Sequence, residues 1–289
     1  MRTFEEYNPA AVALYFLAAA GIAMFSLHPV ILLLSLCGAL TYFFVRNGLS
    51  GGGHLYTFLL FAVMVCVNPL VSHNGVTVLF VLNNNPVTLE SLLYGTAAAV
   101  MIVSVLYWFR SFSQIMTEDR LLYLFGAFSP KLALILSMAM RYIPLFIAQT
   151  KKISASQKAL GLYKEDNIID SIRGKIRIFS VLVTWVLENG IVTADSMTAR
   201  GYGIGRRSRY SLFRFRMHDA VLLVSSAVLA VFTLVGTAGA EFVFYPAVSV
   251  SELTAANITG YTAYAVLCFI PTWIDVKEAL RWRGLQSKI

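Results

Sequence analysis

Two triplets that close two long helical stretches carry most of the recognition chemistry in this sequence: Ala159-Leu160-Gly161 and Ala199-Arg200-Gly201. Small flanking residues let a helix tip enter a groove on a partner, and the central side chain then projects from the tip. At position 200 that side chain is an arginine. Its planar fork of five donors suits a carboxylate pair or backbone carbonyls. A soluble domain can grip a membrane domain in this way. The blander reading is a solvated basic helix end, which the helix dipole favours at a C-terminus.

Catalytic groupings are sparse. An intramembrane enzyme, one alternative reading, needs acid-base or metal groups gathered at depth. The histidines His28, His54, His73 and His218 instead fall near the ends of apolar runs, with no HExxH, paired-carboxylate or Ser-His arrangement. His28 and His73 are placed to face outside and touch a metal-handling partner, or to be ordinary interfacial residues. Cys37, Cys66 and Cys268 lie in apolar runs without CxxC spacing and read as buried small hydrophobes. Gly201 to Gly205 invites a nucleotide-loop reading, but Arg206 stands where a third glycine belongs and no strand precedes it. The expectation is a chain without catalytic residue, metal or cofactor of its own.

The elements that must position the triplets follow from composition. The 289 residues are 58% hydrophobic and 13% charged, with mean hydropathy +0.70. A soluble domain carries about 25% charged residues, so this is an integral membrane protein. The net charge of +8 reports topology before nucleic acid, and no basic-aromatic binding module is present.

Apolar runs long enough, or nearly so, to span a bilayer are 10–27, 30–45, 55–71, 92–109, 220–236 and 260–274. The runs 121–128, 132–148 and 178–194 are interrupted by Arg141, Pro144, Glu188 and Asn189. Charge at depth is costly, so they read as helices at the interface or buried in protein. Pro144 predicts a kink. The first of these helices is expected to stop at Gly161 and the second, from about residue 178, at Gly201.

Residues 141–216 hold 14 of the 23 Lys and Arg and only five acids. The positive-inside rule places this block in the cytoplasm. Residues 72–87 carry no charged residue, and 238–259 only Glu241 and Glu252; both read as external loops. Gly51-Gly52-Gly53 reads as a turn beside Arg46. The expected fold is all-α and polytopic: spans one to four in 1–120, a cytoplasmic coupling domain of long amphipathic helices in 121–216, and two more spans with a basic tail in 217–289, both termini inside. A self-contained transporter or channel, the other alternative, marks its route with intramembrane charge or broken helices in paired halves. Here Glu90 and Asp275 lie at span ends, Asn68-Pro69 is a kink near one terminus, and no halves are related by symmetry.

Ser196-Met-Thr-Ala-Arg-Gly-Tyr-Gly203 resembles the second signature of the T component of energy-coupling factor (ECF) transporters, the vitamin- and metal-type ABC importers of prokaryotes. Leu134 to Phe146, with its Arg-aromatic-Ile-Pro core at Arg141 to Pro144, resembles the opening of that family's coupling region. Ser156 to Tyr163, containing Gln157, Lys158 and the first triplet, sits where the family's first Ala-Arg-Gly is expected. The resemblance implies a scaffold in the prokaryotic plasma membrane. Two cytoplasmic coupling helices insert their tips into two ABC ATPase subunits, which hold the ATP and Mg, while a separate membrane S component binds the micronutrient. Leu160 departs from the pattern, since it stands where the first arginine belongs and Lys158 has no such fork. This points to two unequal sockets, and with them two non-identical ATPases. Asp195 is expected to pair with a basic residue of either coupling helix. Met138, Met140 and Met197 read as core or sliding contacts, and Arg141 as buried against a carbonyl or carboxylate, or snorkelling to headgroups.

Overall fold

A computed structural model describes residues 3–48, 53–72, 74–82, 85–161, 168–205, 213–240, 242–246, 248–250 and 254–286. Gly51, Gly52, His73, Leu162, Tyr163, Arg206, Glu241 and Glu252 lie outside the described residues.

In chain order the elements are α1 (Pro9–Phe25), α2 (Pro29–Asn47), α3 (His54–Val71), the hairpin β1 (Val78–Leu82) and β2 (Asn85–Thr88), α4 (Leu89–Ile115), α5 (Glu118–Phe128), α6 (Pro130–Ala159), α7 (Ile168–Ala199), α8 (Met217–Thr237), the antiparallel pair β3 (Phe242–Val243) and β4 (Ser249–Val250), and α9 (Ala255–Gln286). Three helices start by one device. Proline occupies the first turn, where its missing N–H costs nothing, and a side chain just before it accepts an orphan donor. Asn8 takes the Ala10 N–H at 3.0 Å, His28 Nδ1 the Val30 N–H at 3.3 Å, and Ser129 the Leu132 N–H at 3.5 Å. The chain forms two compact units, Met1–Leu121 with Phe213–Ile289, and Leu122–Leu212.

The first unit is a helical bundle. α8 packs on α9, α3 on α4, α2 on α4 and α9, and α1 on α4 and α8. Trp108, Tyr15, Tyr42, Tyr264 and Phe4 are fully buried at its centre. A bilayer core offers no water, so buried polar groups need partners inside the protein. Trp108 Nε1 donates to Ser35 Oγ at 3.1 Å, Tyr15 Oη to the Leu267 carbonyl at 2.9 Å and Tyr264 Oη to the Ala19 carbonyl at 3.0 Å. α8 and α9 touch backbone to backbone at Gly236 and Gly260, and α2 meets α9 closely at Gly38 and Cys268. Cys268 is buried, whereas Cys37 and Cys66 are exposed. The expectation of three buried cysteines is therefore corrected, because α2 and α3 each turn an apolar face outward.

One end of this bundle holds the Lys and Arg of its described residues, with acids among them. The Phe4 N–H donates to Asp275 Oδ1 at 2.8 Å, Glu5 pairs with Arg46, and Arg120 donates to the Glu5 carbonyl. Asp219, 2% exposed, accepts the Asn8 N–H through Oδ1 and the Arg216 N–H through Oδ2, both at 2.8 Å. Asp219→Asn keeps the shape but cannot accept with both terminal atoms. It is expected to cost about 1–3 kcal/mol, read as a lowered unfolding midpoint of the purified chain in detergent. The opposite end carries the two hairpins. Glu90, 3% exposed, accepts the Thr77 N–H there at 3.2 and 3.3 Å. His28 is also enclosed at this end, its Nε2 lying 3.0 Å from Tyr261 Oη. Burial lowers its pKa, and its two contacts fit a neutral ring. It is therefore a structural cap rather than an outward-facing ligand.

Among the described residues, six helices are long and apolar enough to cross a membrane: α2, α3, α4, α6, α7 and α8. The fold is all-α and polytopic, as the composition indicates, but the six are not the expected set. α1 has only 17 residues, α9 is not among the six, and α6 and α7 qualify. Length and apolarity do not distinguish a helix packed in the bundle from one whose apolar face is open. In the most apolar window of α2 or α4 39% of residues are buried; in α6 none are, and in α7 6%.

Candidate functional site

The second unit is built on α6 and α7, which run antiparallel. Tyr142 Oη lies 2.9 Å from Thr193 Oγ1, and Phe146 meets Trp185 edge-on at 6.3 Å between ring centroids. Tyr142 also stacks on Phe146 at 5.5 Å. Gly174, Ile153 and Ile178 are the buried residues of the pair. The other residues of both helices are half-buried or exposed, which leaves Ile135, Ile143, Ile147, Phe179, Leu187 and Ile191 uncovered. α6 passes through Pro144 as one continuous helix.

Both helices end at a glycine of positive φ. At the first tip the Leu160 N–H donates to the Ser156 carbonyl at 3.1 Å and the Gly161 N–H to the Lys158 carbonyl at 3.0 Å. At the second, the Arg200 N–H donates to the Ser196 carbonyl at 3.2 Å and the Gly201 N–H to the Thr198 carbonyl at 2.9 Å. The Tyr202 N–H reaches back to the Met197 carbonyl at 3.0 Å, completing a Schellman motif. Gly161 has φ +69° and Gly201 φ +80°, the left-handed region glycine enters without a Cβ penalty. The glycine reverses the chain, and the residue before it becomes the outermost point of the helix. Leu160 (69% exposed) and Arg200 hold those points.

Because the helices are antiparallel, the tips lie at opposite ends of the pair. At 1.5 Å per residue, each tip is roughly 20 Å from the Phe146–Trp185 contact. Among the described residues the Leu160 end carries Lys151, Lys152, Lys158, Arg173, Lys175 and Arg177 against Asp170, which pairs with Arg173 at 3.9 Å. The Arg200 end carries, among the described residues, Lys131, Arg141 and Arg200 against Glu188 and Asp195. One tip therefore offers an apolar leucine and the other an arginine fork.

The remaining expected site residues are dispersed around these tips. Ala159, Gly161, Lys158, Pro144 and Ala199 are exposed, while Gln157, Met138, Met140, Met197 and Gly201 are half-buried. Gln157 Oε1 is enclosed and lacks a hydrogen-bond partner among the described residues. Arg141 is exposed rather than buried against a carbonyl or carboxylate, because its side of α6 faces away from α7. Asp195 is exposed and, among the described residues, makes no ion pair with either helix. Two further tip residues escaped the sequence reading: Tyr202 (44% exposed) and Ile204 (86% exposed), beside Arg200 on the turn that Gly201 and Gly203 (φ +93°) create. Their signal was the glycine alternation itself, which exposes whatever lies between. No group of three His, Cys, Asp or Glu is placed to hold a metal among the described residues.

A helical bundle and an open-faced antiparallel helix pair with capped ends define an all-α multi-pass membrane protein. The profile of the cobalt transport protein family, CbiQ, matches residues 6–212, and the chain belongs to that family. It is similar to proteins named energy-coupling factor transporter transmembrane protein EcfT. The identity is 37% over 102 residues with the one from Listeria innocua, covering 35% of this chain and 38% of the relative. It is 34% over 110 residues with that of Bacillus selenitireducens, covering 37% and 39%. With that of Streptococcus equi it is 29% over 104 residues, covering 35% and 39%. The match thus spans less than half the length of these curated relatives.

Proposed function

We propose that this chain is the transmembrane scaffold, or T component, of an ECF-type importer of a micronutrient such as a vitamin or metal ion. It does no catalysis itself. It couples ATP hydrolysis in two partner ATPases, which bind the ATP and Mg, to movement of a membrane S component that binds the cargo. The observation that carries this is the pair of glycine-capped tips, Ala159-Leu160-Gly161 and Ala199-Arg200-Gly201, at opposite ends of one antiparallel helix pair. Two outward points held by one compact unit suit two copies or two kinds of one soluble partner. The open apolar faces of α6 and α7 suit a membrane-embedded partner, since exposed contiguous apolar surface is otherwise costly. The Lys- and Arg-bearing end of the bundle is then cytoplasmic, with both chain termini on that side.

The unequal tips favour two different ATPases. Leu160 docks by apolar packing within the field of the surrounding lysines and arginines, and Arg200 docks by hydrogen bonds from its fork. Co-purification of the tagged full-length chain from mild detergent, with mass-spectrometric identification of what accompanies it, is expected to return two ABC ATPases and one small membrane protein. A stable chain that emerges alone from its native membrane overturns the proposal. Leu160→Arg is expected to weaken ATPase retention about tenfold, because it places a further donor-rich cation in a socket shaped for an apolar side chain and buries it unpaired. Retention unchanged in that variant removes the case for unequal sockets and leaves the scaffold reading intact.

A further inference from the structure

A cavity of about 370 Å³ opens at the Lys- and Arg-bearing end of the bundle, where the start of α8 meets the second half of α9. Arg216, His218, Asp219, Trp273, Lys277 and Glu278 are in its wall. Asp219 is already committed, since each carboxylate oxygen holds a backbone N–H at 2.8 Å. The Lys277 ammonium is held 4.8 Å from the centroid of the Trp273 ring, a cation–π distance. Two cations and one uncommitted carboxylate, Glu278, therefore face one small space. Trp273 is 66% exposed, and Met217 beside the mouth is 83% exposed. Such residues mark the level where headgroups meet acyl chains.

The surface leading away from the cavity fits the same ligand. Val221, Val224, Val228, Val231 and Val235 are all exposed on α8. Their three- and four-residue spacing puts them on one stripe, and His218 heads that stripe from the cavity wall. Valine is stiff at χ1, so the stripe is a smooth ridge along which an extended hydrocarbon chain can lie.

We propose that this cavity is a phospholipid site that takes a zwitterionic phosphoethanolamine headgroup. The phosphate sits between Arg216 and Lys277, the ammonium against Glu278, and one acyl chain follows the valine stripe. A purely anionic headgroup satisfies the two cations but sets its negative charge beside Glu278 with nothing to balance it. A headgroup of both signs meets all three.

The test is native mass spectrometry of the delipidated full-length chain in detergent, titrated separately with phosphatidylethanolamine, phosphatidylglycerol and water-soluble glycerophosphoethanolamine. The native chain is expected to bind phosphatidylethanolamine about fivefold more tightly than phosphatidylglycerol, the worth of one charge pair at the interface. The soluble headgroup is expected not to compete at equal concentration. R216A/K277A is expected to lose roughly thirtyfold in lipid affinity, from two cations near a headgroup. R281A/R283A, which removes two charges from the same helix outside the cavity, is expected to leave affinity unchanged. E278Q is expected to bring the two lipids to equal affinity. Equal losses in the two double variants reduce the effect to a diffuse basic field and overturn the site. Equal binding of the two lipids by the native chain overturns the headgroup assignment, and competition by the soluble compound makes the ligand a free phosphate ester. If R216A/K277A does not fold, the lipid ratio of E278Q decides alone.

Discussion

Arg200→Glu is expected to abolish retention of one ATPase by the purified chain, with affinity falling about 100- to 1,000-fold. That range follows from reversing a charge within an interface where truncating one hydrogen-bonded partner already costs about 2–5 kcal/mol. Arg200 is the exposed cap of α7, and its fork makes no hydrogen bond or ion pair with another described residue. Glutamate at the negative end of a helix dipole costs well under 1 kcal/mol at an exposed site, or about that at most. The fold therefore survives, and an unchanged unfolding midpoint separates lost docking from lost structure. Arg200→Lys refines the result. Lysine keeps the charge but has no planar fork, so it is expected to retain the ATPase at an intermediate level if hydrogen-bond geometry matters. It is expected to retain it fully if the contact is only a point charge. ATPase retention by Arg200→Glu equal to that of the native chain makes the residue a solvated helix end and returns the docking role to Tyr202 and Ile204.

Gly236→Leu is expected to destabilise the bundle by at least about 3 kcal/mol, and the chain then fails to accumulate in the membrane. A Cβ at Gly236 stands 2.7 Å from Gly260 Cα and 2.8 Å from the Ala256 carbonyl oxygen, and one at Gly260 stands 3.0 Å from the Gly236 carbonyl carbon. These neighbours are backbone, so neither can give way by turning a side chain. In lipid, helices associate by close packing rather than by escape from water, and a separation forced here is repaid by nothing else along α8 and α9. Gly236→Ala tests the same contact with a single methyl and is expected to lower the unfolding midpoint measurably. Gly190→Ala is the control. Gly190 lies inside α7 with nothing within 4 Å of a Cβ, and alanine in a helix interior is favoured over glycine by about 0.5–1 kcal/mol. A Gly236→Leu chain as stable as the native one shows that α8 and α9 do not cross at these glycines.

The sequence by itself determined what local physical chemistry dictates. Low charge and long apolar runs required a polytopic helical protein, because only helices and closed barrels satisfy the backbone in lipid. Gly161 and Gly201 marked two helix ends, because a left-handed turn selects glycine wherever the rest of the chain goes. Residues 141–216 were separable by their basic charge. The tertiary structure alone decided which helices bury their apolar surface. α1 is short by length and yet packs against α4 and α8, while α6 and α7 are long and apolar and lie open. Hydropathy is a sum over residues, whereas burial depends on which neighbour faces which side. For the same reason Cys37 and Cys66 point outward, His28 is enclosed, and Arg141 faces away from its expected partner. The opposed placement of Leu160 and Arg200 also came only from tertiary contacts, the pairing of Tyr142 with Thr193 and Phe146 with Trp185. A helix end is a local event, but its direction in space is set by the antiparallel partner it packs on.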